Sequence, residues 1–226
     1  MVFQGDAALS NDYFAVFGLP RRLAVDAAEL QRKFYVLARE HHPDFHQAAP
    51  PEERARVEAT AAIVNAAYRT LRDPIARVDY LVRLEEGRET KEGAADKPKA
   101  GPALLQEMFE IQEALAEAKT GALDDAARAT LVEQREGLRA RMAQEEARLA
   151  GPLSARWDDA APAERPAVLA ALKEALATRA YLRTVIGDLT DALGEDLSAD
   201  IEGRHGSAEA PRTRGGMGGH IGAPHQ

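Results

Sequence analysis

Imidazole and carboxylate side chains cluster in one short stretch of the sequence, as His41, His42, Asp44 and His46. These groups could bind zinc or serve as general acid and base. His41, however, falls on the apolar face of a predicted helix, whereas His42 falls in the loop that follows, so the imidazoles diverge. No glycine-rich phosphate loop, nucleophile motif or second carboxylate pair supports catalysis elsewhere. We therefore predict no enzymatic activity, no cofactor and no metal site.

The helix that leads into this cluster is amphipathic and partly basic. It begins after a cap at Asp26, and its apolar residues recur at steps of four, three and four. The face that they mark consists of Leu30, Phe34, Leu37 and, at its end, His41. Three cations lie on the outward faces: Arg32, Lys33 and Arg39. Pro43 ends the helix, because a proline pushes the residue before it out of the helical region.

A second helix is predicted between Pro50-Pro51 and Asp73-Pro74. Its apolar face is formed by Val57, Ala61, Val64, Tyr68 and Leu71. Two helices joined by a short loop pack antiparallel, so His42-Pro43-Asp44 should lie exposed at the tip of a hairpin. Most Pro-Asp pairs merely break a helix and cap a turn, and the tripeptide alone is a weak signal. Because the tripeptide lies between two predicted helices whose apolar faces match, a chance occurrence is a minor possibility.

Two further elements complete the unit, an aromatic opening at 12–20 (DYFAVFGLP) and a helix at 75–86. Four helices in this order resemble a J-domain. The opening, the stretch 63–74 (IVNAAYRTLRDP) and the stretch 77–81 (RVDYL) are more specifically similar to the HscB family, the J-type co-chaperones of iron–sulfur cluster biogenesis. The resemblance covers residues 12–86 strongly and 102–193 more loosely.

The resemblance implies a docking site for a heat-shock chaperone of the HscA or DnaK type, whose ATP hydrolysis the chain would accelerate. The implied contact residues are His42, Pro43 and Asp44 at the tip, with Arg32, Lys33 and Arg39 on the preceding helix. Asp44 is the expected acceptor for an arginine of the chaperone. Val36 and Glu40 stand where generalist J-proteins are often cationic. This departure suggests a dedicated chaperone partner.

The second half of the chain begins with a helix that carries two stripes. One stripe suits a buried core and consists of Leu104, Met108, Ile111 and Leu115. The other is apolar at one end and acidic at the other and consists of Leu105, Phe109, Glu113 and Glu117. A helix in a small bundle needs only one buried stripe, so the second fits a partner with an apolar spot and a basic rim. Alternatively, Leu105 and Phe109 simply widen the core face.

Two more helices, at 124–149 and after Pro166, would close a three-helix bundle. In the HscB family the first helix of this bundle holds the scaffold protein on which clusters are built. The resemblance implies scaffold contacts at Leu105, Gln106, Phe109, Glu110, Glu113, Glu117 and Tyr181. Gln106 replaces a residue that is typically apolar. Trp157 is interpreted as a packing residue.

We predict an all-α protein, with an N-terminal four-helix J-domain followed by a C-terminal three-helix bundle. The predicted segments are a flexible N-terminus (1–10), the J-domain (11–86), a linker (87–101), the scaffold-binding bundle (102–195) and a disordered Gly-rich tail (196–226). The linker is charged, carries Gly93 and Pro98 and lacks an apolar period. The tail is too poor in apolar residues to offset the entropy of ordering.

Composition narrows the function further. A net charge of −8 argues against nucleic acid as a partner, and the absence of cysteine removes disulfides and thiolate ligands. No apolar run approaches the length that spans a membrane, and residues 1–10 resemble neither a signal nor a transit peptide. A bacterial-type cytoplasm is the expected location.

Three hypotheses remain open at this point. The first is a co-chaperone that delivers an IscU-type scaffold to its chaperone. A general J-domain adaptor would instead bind many unfolded clients through the bundle. A metal-dependent hydrolase would carry bound metal and turn over a substrate without any chaperone.

Overall fold

The computed structural model describes residues 12–87, 106, 109–113, 116 and 124–194. The described residues form helices and no strand, and the predicted all-α fold is confirmed. In this part of the chain no helix is long and apolar enough to cross a membrane. The predicted N-terminal segment (1–10) and tail (196–226) lie outside the described residues, and so does the predicted linker apart from Gly87.

Four helices occupy the first part of the chain: α1 (Tyr13–Val16), α2 (Ala27–Glu40), α3 (Pro51–Arg72) and α4 (Pro74–Glu85). Their ends follow the sequence signals. Asp26 and Asp73 each accept two backbone N–H bonds at the start of α2 and α4. Gly87 follows α4 with a φ of +66°, a left-handed conformation that favours glycine. Between α2 and α3 the predicted loop contains a single 3₁₀ turn, Pro43–His46.

The Asp26 cap gives a pH-dependent prediction for α2. Its carboxylate accepts bonds from Glu29 and Ala28, and these bonds lower the pKa of Asp26 below its ordinary value of 3.8. The stabilisation is therefore present above that value and is lost as the pH falls through the lowered pKa. We expect Asp26→Ala to lower the melting temperature at neutral pH and to have a much smaller effect in acid. Circular-dichroism melts at the two pH values check this, and equal losses would contradict it.

Helices also account for most of the described residues after 124. They are α5 (Asp125–Arg148), a π-helical turn (Leu149–Leu153), α6 (Ser154–Asp159) and α7 (Arg165–Ala192). The predicted helices at 124–149 and after Pro166 correspond to α5 and α7. The π turn and α6 were not predicted. Pro152 lies inside the π turn, and Ser154 Oγ donates a hydrogen bond to the Leu149 carbonyl at 2.6 Å.

The buried apolar residues form two cores. The first core joins α1–α4 to the π turn, α6 and the first half of α7. Its members from the later helices are Leu149, Leu153, Trp157, Val168, Leu172 and Ala175. The second core lies between the 109–113 segment, α5 and the second half of α7, and its members are Ile111, Leu131, Leu138, Leu182, Val185, Ile186, Leu189 and Leu193. Helix α7 therefore runs through both cores. The predicted segment boundaries stay a prediction, and the first core includes residues from both sides of them.

Polar contacts reinforce the first core at the point where the two halves of the chain meet. The buried carboxylate of Asp158 accepts the Leu23 and Ala24 backbone N–H groups, both at 2.7 Å. Lys173 on α7 forms an ion pair with Glu86 at the end of α4. Because each oxygen of the carboxylate binds one of two consecutive amides, the pair of bonds fixes the orientation of the 23–24 backbone as well as its distance from Asp158. The segment that leads into α2 is thus attached to the second half of the chain.

Candidate functional site

The His42-Pro43-Asp44 tip is exposed, as the sequence predicts. The side chains of His42 and Asp44 are 51% and 72% exposed. His42 caps the 3₁₀ turn, because its Nδ1 accepts the Asp44 backbone N–H at 3.2 Å. The Asp44 carboxylate lies 3.7 Å from the same nitrogen. The tip therefore presents an accessible carboxylate from a turn that its own histidine closes.

The neighbouring imidazoles are used for structure and do not converge. His46 Nε2 lies 3.0 Å from the carbonyl oxygen of Glu40, which ties the tip to the end of α2. His41 is half-buried at the C-terminus of α2, and His42 points its Nδ1 at the turn. Within the described ranges no three His, Asp or Glu side chains could share a metal ion.

The three predicted cations differ in their surroundings. Arg32 and Arg39 are exposed on α2. Lys33 is only partly exposed: its Nζ donates to the carbonyls of Phe17 and Gly18, at 2.9 and 3.3 Å, and pairs with Glu29 at 3.2 Å. The Lys33 ammonium thus holds α1 against α2. Its predicted contact with the chaperone would compete with these internal bonds, whereas Arg32 and Arg39 make no such bonds to other described residues.

An apolar feature that the sequence analysis does not predict lies on α2 and in the turn that follows it. Tyr35, Val36 and Phe45 are 61%, 64% and 70% exposed. Val36 stood out only as a residue that is not cationic, and the other two were not singled out. The available signal was that Tyr35 and Val36 lie off the buried four-three-four stripe of α2. A large apolar residue outside the buried stripe is a candidate for contact with a partner.

The predicted scaffold site is partly within the described residues. Gln106, Phe109, Glu110 and Glu113 are exposed, and Phe109 is 70% exposed. Ile111, between them, is buried in the second core. The helix therefore turns Phe109 outward and Ile111 inward, which excludes the alternative that Phe109 widens the core face. The other two predicted contacts of this helix, Leu105 and Glu117, lie outside the described residues.

Tyr181, the remaining predicted scaffold contact, is half-buried on α7 and packs against the second core. The 109–113 segment is held to the same helix, because Gln112 Nε2 donates to Asp188 Oδ2 at 3.0 Å. Helix α7 thus supports the segment that exposes Phe109. The role of these residues in binding a scaffold stays a prediction.

Known proteins resemble the chain across both halves. A DnaJ domain model matches residues 12–80. The co-chaperone protein HscB homolog of Bordetella avium is 36% identical over 157 residues, which are 69% of this chain and 88% of that protein. The corresponding protein of Cupriavidus taiwanensis is 38% identical over 135 residues, which are 60% of this chain and 75% of that protein. These relatives are named as co-chaperones rather than as enzymes.

Two solved structures share the fold. The human co-chaperone protein HscB aligns with a TM-score of 0.54 and 25% identity, covering 80% of this chain and 81% of its own. The chaperone HscB from Vibrio cholerae aligns with a TM-score of 0.53 over 85% of this chain and 98% of its own; at 22% identity it supports the fold alone. Sequence, domain match and fold agree, and the chain belongs to the HscB family of J-domain co-chaperones.

Proposed function

We propose that the chain acts in iron–sulfur cluster biogenesis, in the bacterial cytoplasm, as a co-chaperone with two partners. Through the His42-Pro43-Asp44 tip it stimulates the ATPase of an HscA- or DnaK-type chaperone. Through the helix that carries Phe109 it delivers an IscU-type scaffold protein. The observation that carries the proposal is the tip, where an exposed carboxylate stands in a turn closed by the preceding histidine.

The geometry of the tip suits recognition of a cation. An accessible carboxylate can accept both N–H groups of a partner arginine in a charge-assisted fork. Pro43 fixes its own φ, and the His42–Asp44 bond restrains the next residue, so little conformational freedom is lost on docking. Arg32 and Arg39, exposed on the helix before the tip, would meet acidic groups around that arginine. The surface therefore recognises an ATPase without chemistry of its own.

The scaffold side offers one apolar anchor with acidic neighbours. Phe109 is exposed beside Glu110 and Glu113, which complements a partner surface with an apolar spot and a basic rim. Carrying both surfaces on one chain raises the effective concentration of scaffold near the chaperone, so that neither contact has to be tight. ATP hydrolysis then traps the delivered scaffold in a chaperone state of higher affinity.

The Phe109→Ala variant tests whether the scaffold and the chaperone bind to two separate surfaces. We expect affinity for an IscU-type scaffold to fall at least about tenfold, since exposed aromatic anchors dominate small interfaces. Stimulation of the chaperone in the absence of scaffold should be retained. Titration calorimetry with the purified scaffold and a steady-state ATPase assay with an HscA-type chaperone give the two measurements. If Phe109→Ala abolished both activities, a single shared surface would replace the two proposed here.

A general adaptor for unfolded clients is the alternative function. Such an adaptor needs a wide apolar surface, because unfolded chains are recognised through many dispersed apolar contacts. Among the described residues after 87, Phe109 is the one large apolar side chain that is exposed. This favours a folded partner with a small complementary spot. Affinity capture from cell extract discriminates between the two, since mixed polypeptides on the bundle would support the adaptor.

A further inference from the structure

We propose that Tyr35, Val36 and Phe45 form an apolar strip that selects which chaperone the J-domain accepts. The inference rests on the proposed function and assigns partner specificity to residues beside the tip. The described residues expose four large apolar side chains, and three of them are these. All three lie on α2 or in the turn that directly follows it, and large exposed apolar side chains grouped in one region are typical of a contact surface.

The strip has one part on α2 and one part in the docking tip. Arg32, Val36 and Arg39 follow at steps of four and three residues, so they share one face of α2, and Tyr35 lies beside Val36 at its edge. Phe45 belongs to the tip, where its ring meets the His42 ring edge-on with centroids 5.8 Å apart. A partner that reaches the Asp44 carboxylate from the side of α2 would therefore also cover these apolar groups.

The strip is also held in place from the core outward. The Tyr35 ring packs against Phe34, with centroids 5.7 Å apart. Phe34 in turn stacks on Tyr68 of α3 at 4.1 Å. A weak hydrogen bond from Gln31 Nε2 reaches the Tyr35 hydroxyl at 3.5 Å. Aromatic groups that are already positioned lose little entropy on binding, which favours them as anchors.

The composition of the strip defines the chemistry of its partner. Apolar groups bracketed by Arg32 and Arg39 fit a chaperone face with an apolar depression bordered by carboxylates. A chaperone whose face is uniformly acidic would lose hydration without gaining apolar contact, and discrimination would result. Salt screens the arginine contacts but does not weaken burial of apolar surface, so docking should persist at raised ionic strength.

The experiment measures the co-chaperone concentration that gives half-maximal ATPase stimulation, for an HscA-type and a DnaK-type chaperone, at low and high NaCl. The variants are the triple Tyr35→Ala, Val36→Ala, Phe45→Ala chain, the Val36→Lys chain and a control, Glu174→Ala, which changes an exposed residue of α7. The triple variant should need at least about tenfold more protein for the HscA-type chaperone. Val36→Lys should narrow the preference between the two chaperones and make stimulation more sensitive to salt. The control should match the original chain.

Unchanged half-maximal concentrations for the triple variant would overturn the strip while leaving the proposed function intact. If the original chain stimulates neither chaperone, the proposed function fails and the strip fails with it. Sedimentation tests whether a second copy of the chain covers the strip instead. If the original chain were a dimer and the triple variant a monomer, the strip would be a dimer contact and the proposal would be wrong. Matching circular-dichroism melts show that the variants fold, as expected for exposed positions.

Discussion

Changing Asp44 to asparagine is expected to reduce stimulation of the chaperone ATPase by at least about tenfold while the melting temperature stays unchanged. The substitution keeps the size of the side chain and removes its charge, so it converts a charge-assisted fork into a neutral contact. A hydrogen bond to a charged group contributes about 1.5–3 kcal/mol, which corresponds to about ten- to a hundredfold in binding. Because Asp44 is 72% exposed, the fold should not depend on it.

Comparing Asp44→Asn with a matched variant, Asp79→Asn, distinguishes the loss of a carboxylate at the tip from the loss of any exposed carboxylate. Asp79→Asn removes another exposed carboxylate, on α4, that pairs with Arg83 of the same helix, and it should leave stimulation nearly unchanged. His42→Gln opens the turn by removing the ring nitrogen that accepts the Asp44 N–H, and it should abolish stimulation while scaffold binding is retained. A steady-state ATPase assay measures both. If the Asp44→Asn chain stimulated the ATPase normally, the proposal that the tip contacts the chaperone through this carboxylate would be wrong.

Changing Trp157 to alanine is expected to destabilise the protein by about 3–5 kcal/mol, the cost of truncating a large buried aromatic side chain. Trp157 is 2% exposed and lies in the first core, which the later helices share with the J-domain helices. The guanidinium of Arg165 lies 5.4 Å from its ring centre and loses this contact as well. Urea unfolding followed by circular dichroism measures the change in the free energy of unfolding.

Phe109→Ala is the control for this prediction, because it truncates an aromatic side chain that is exposed. It should change the free energy of unfolding by less than about 0.5 kcal/mol. The first core contains residues of both halves of the chain, so we also expect the J-domain helices and residues 149–175 to unfold in one transition. Separate transitions for these two parts, or a loss below about 1 kcal/mol in Trp157→Ala, would contradict a shared core.

The helices around the tip were predictable because their signals are local. Asp26 caps the start of α2 and Asp73 caps the start of α4, and prolines mark where helices begin or end. The spacing of apolar residues in α2 and α3 then determines which faces of the two helices pack together. An exposed tip follows from these facts without long-range information. The outward position of Phe109 was predictable only as one of two alternatives. One helix can bury either a narrow or a wide stripe, and only the fold decides which.

Long-range contacts account for what the sequence did not predict. The π turn and α6 look like the end of one helix and a polar connection, yet they carry Leu149, Leu153 and Trp157 into the first core. Nothing in the spacing of their own residues predicts that the π turn packs against α4. Lys33 was predicted to face outward, and only the position of α1 shows which carbonyls its ammonium reaches. Interactions between distant segments decide these cases.

The passage of α7 through both cores has a consequence for how such a protein can evolve. If residues 12–87 were transplanted alone into another protein, α4 would lose the π turn and α7, which pack against it, and apolar side chains of the first core would face water. We therefore expect this J-domain to be transferable to another protein only together with the helices that pack behind it.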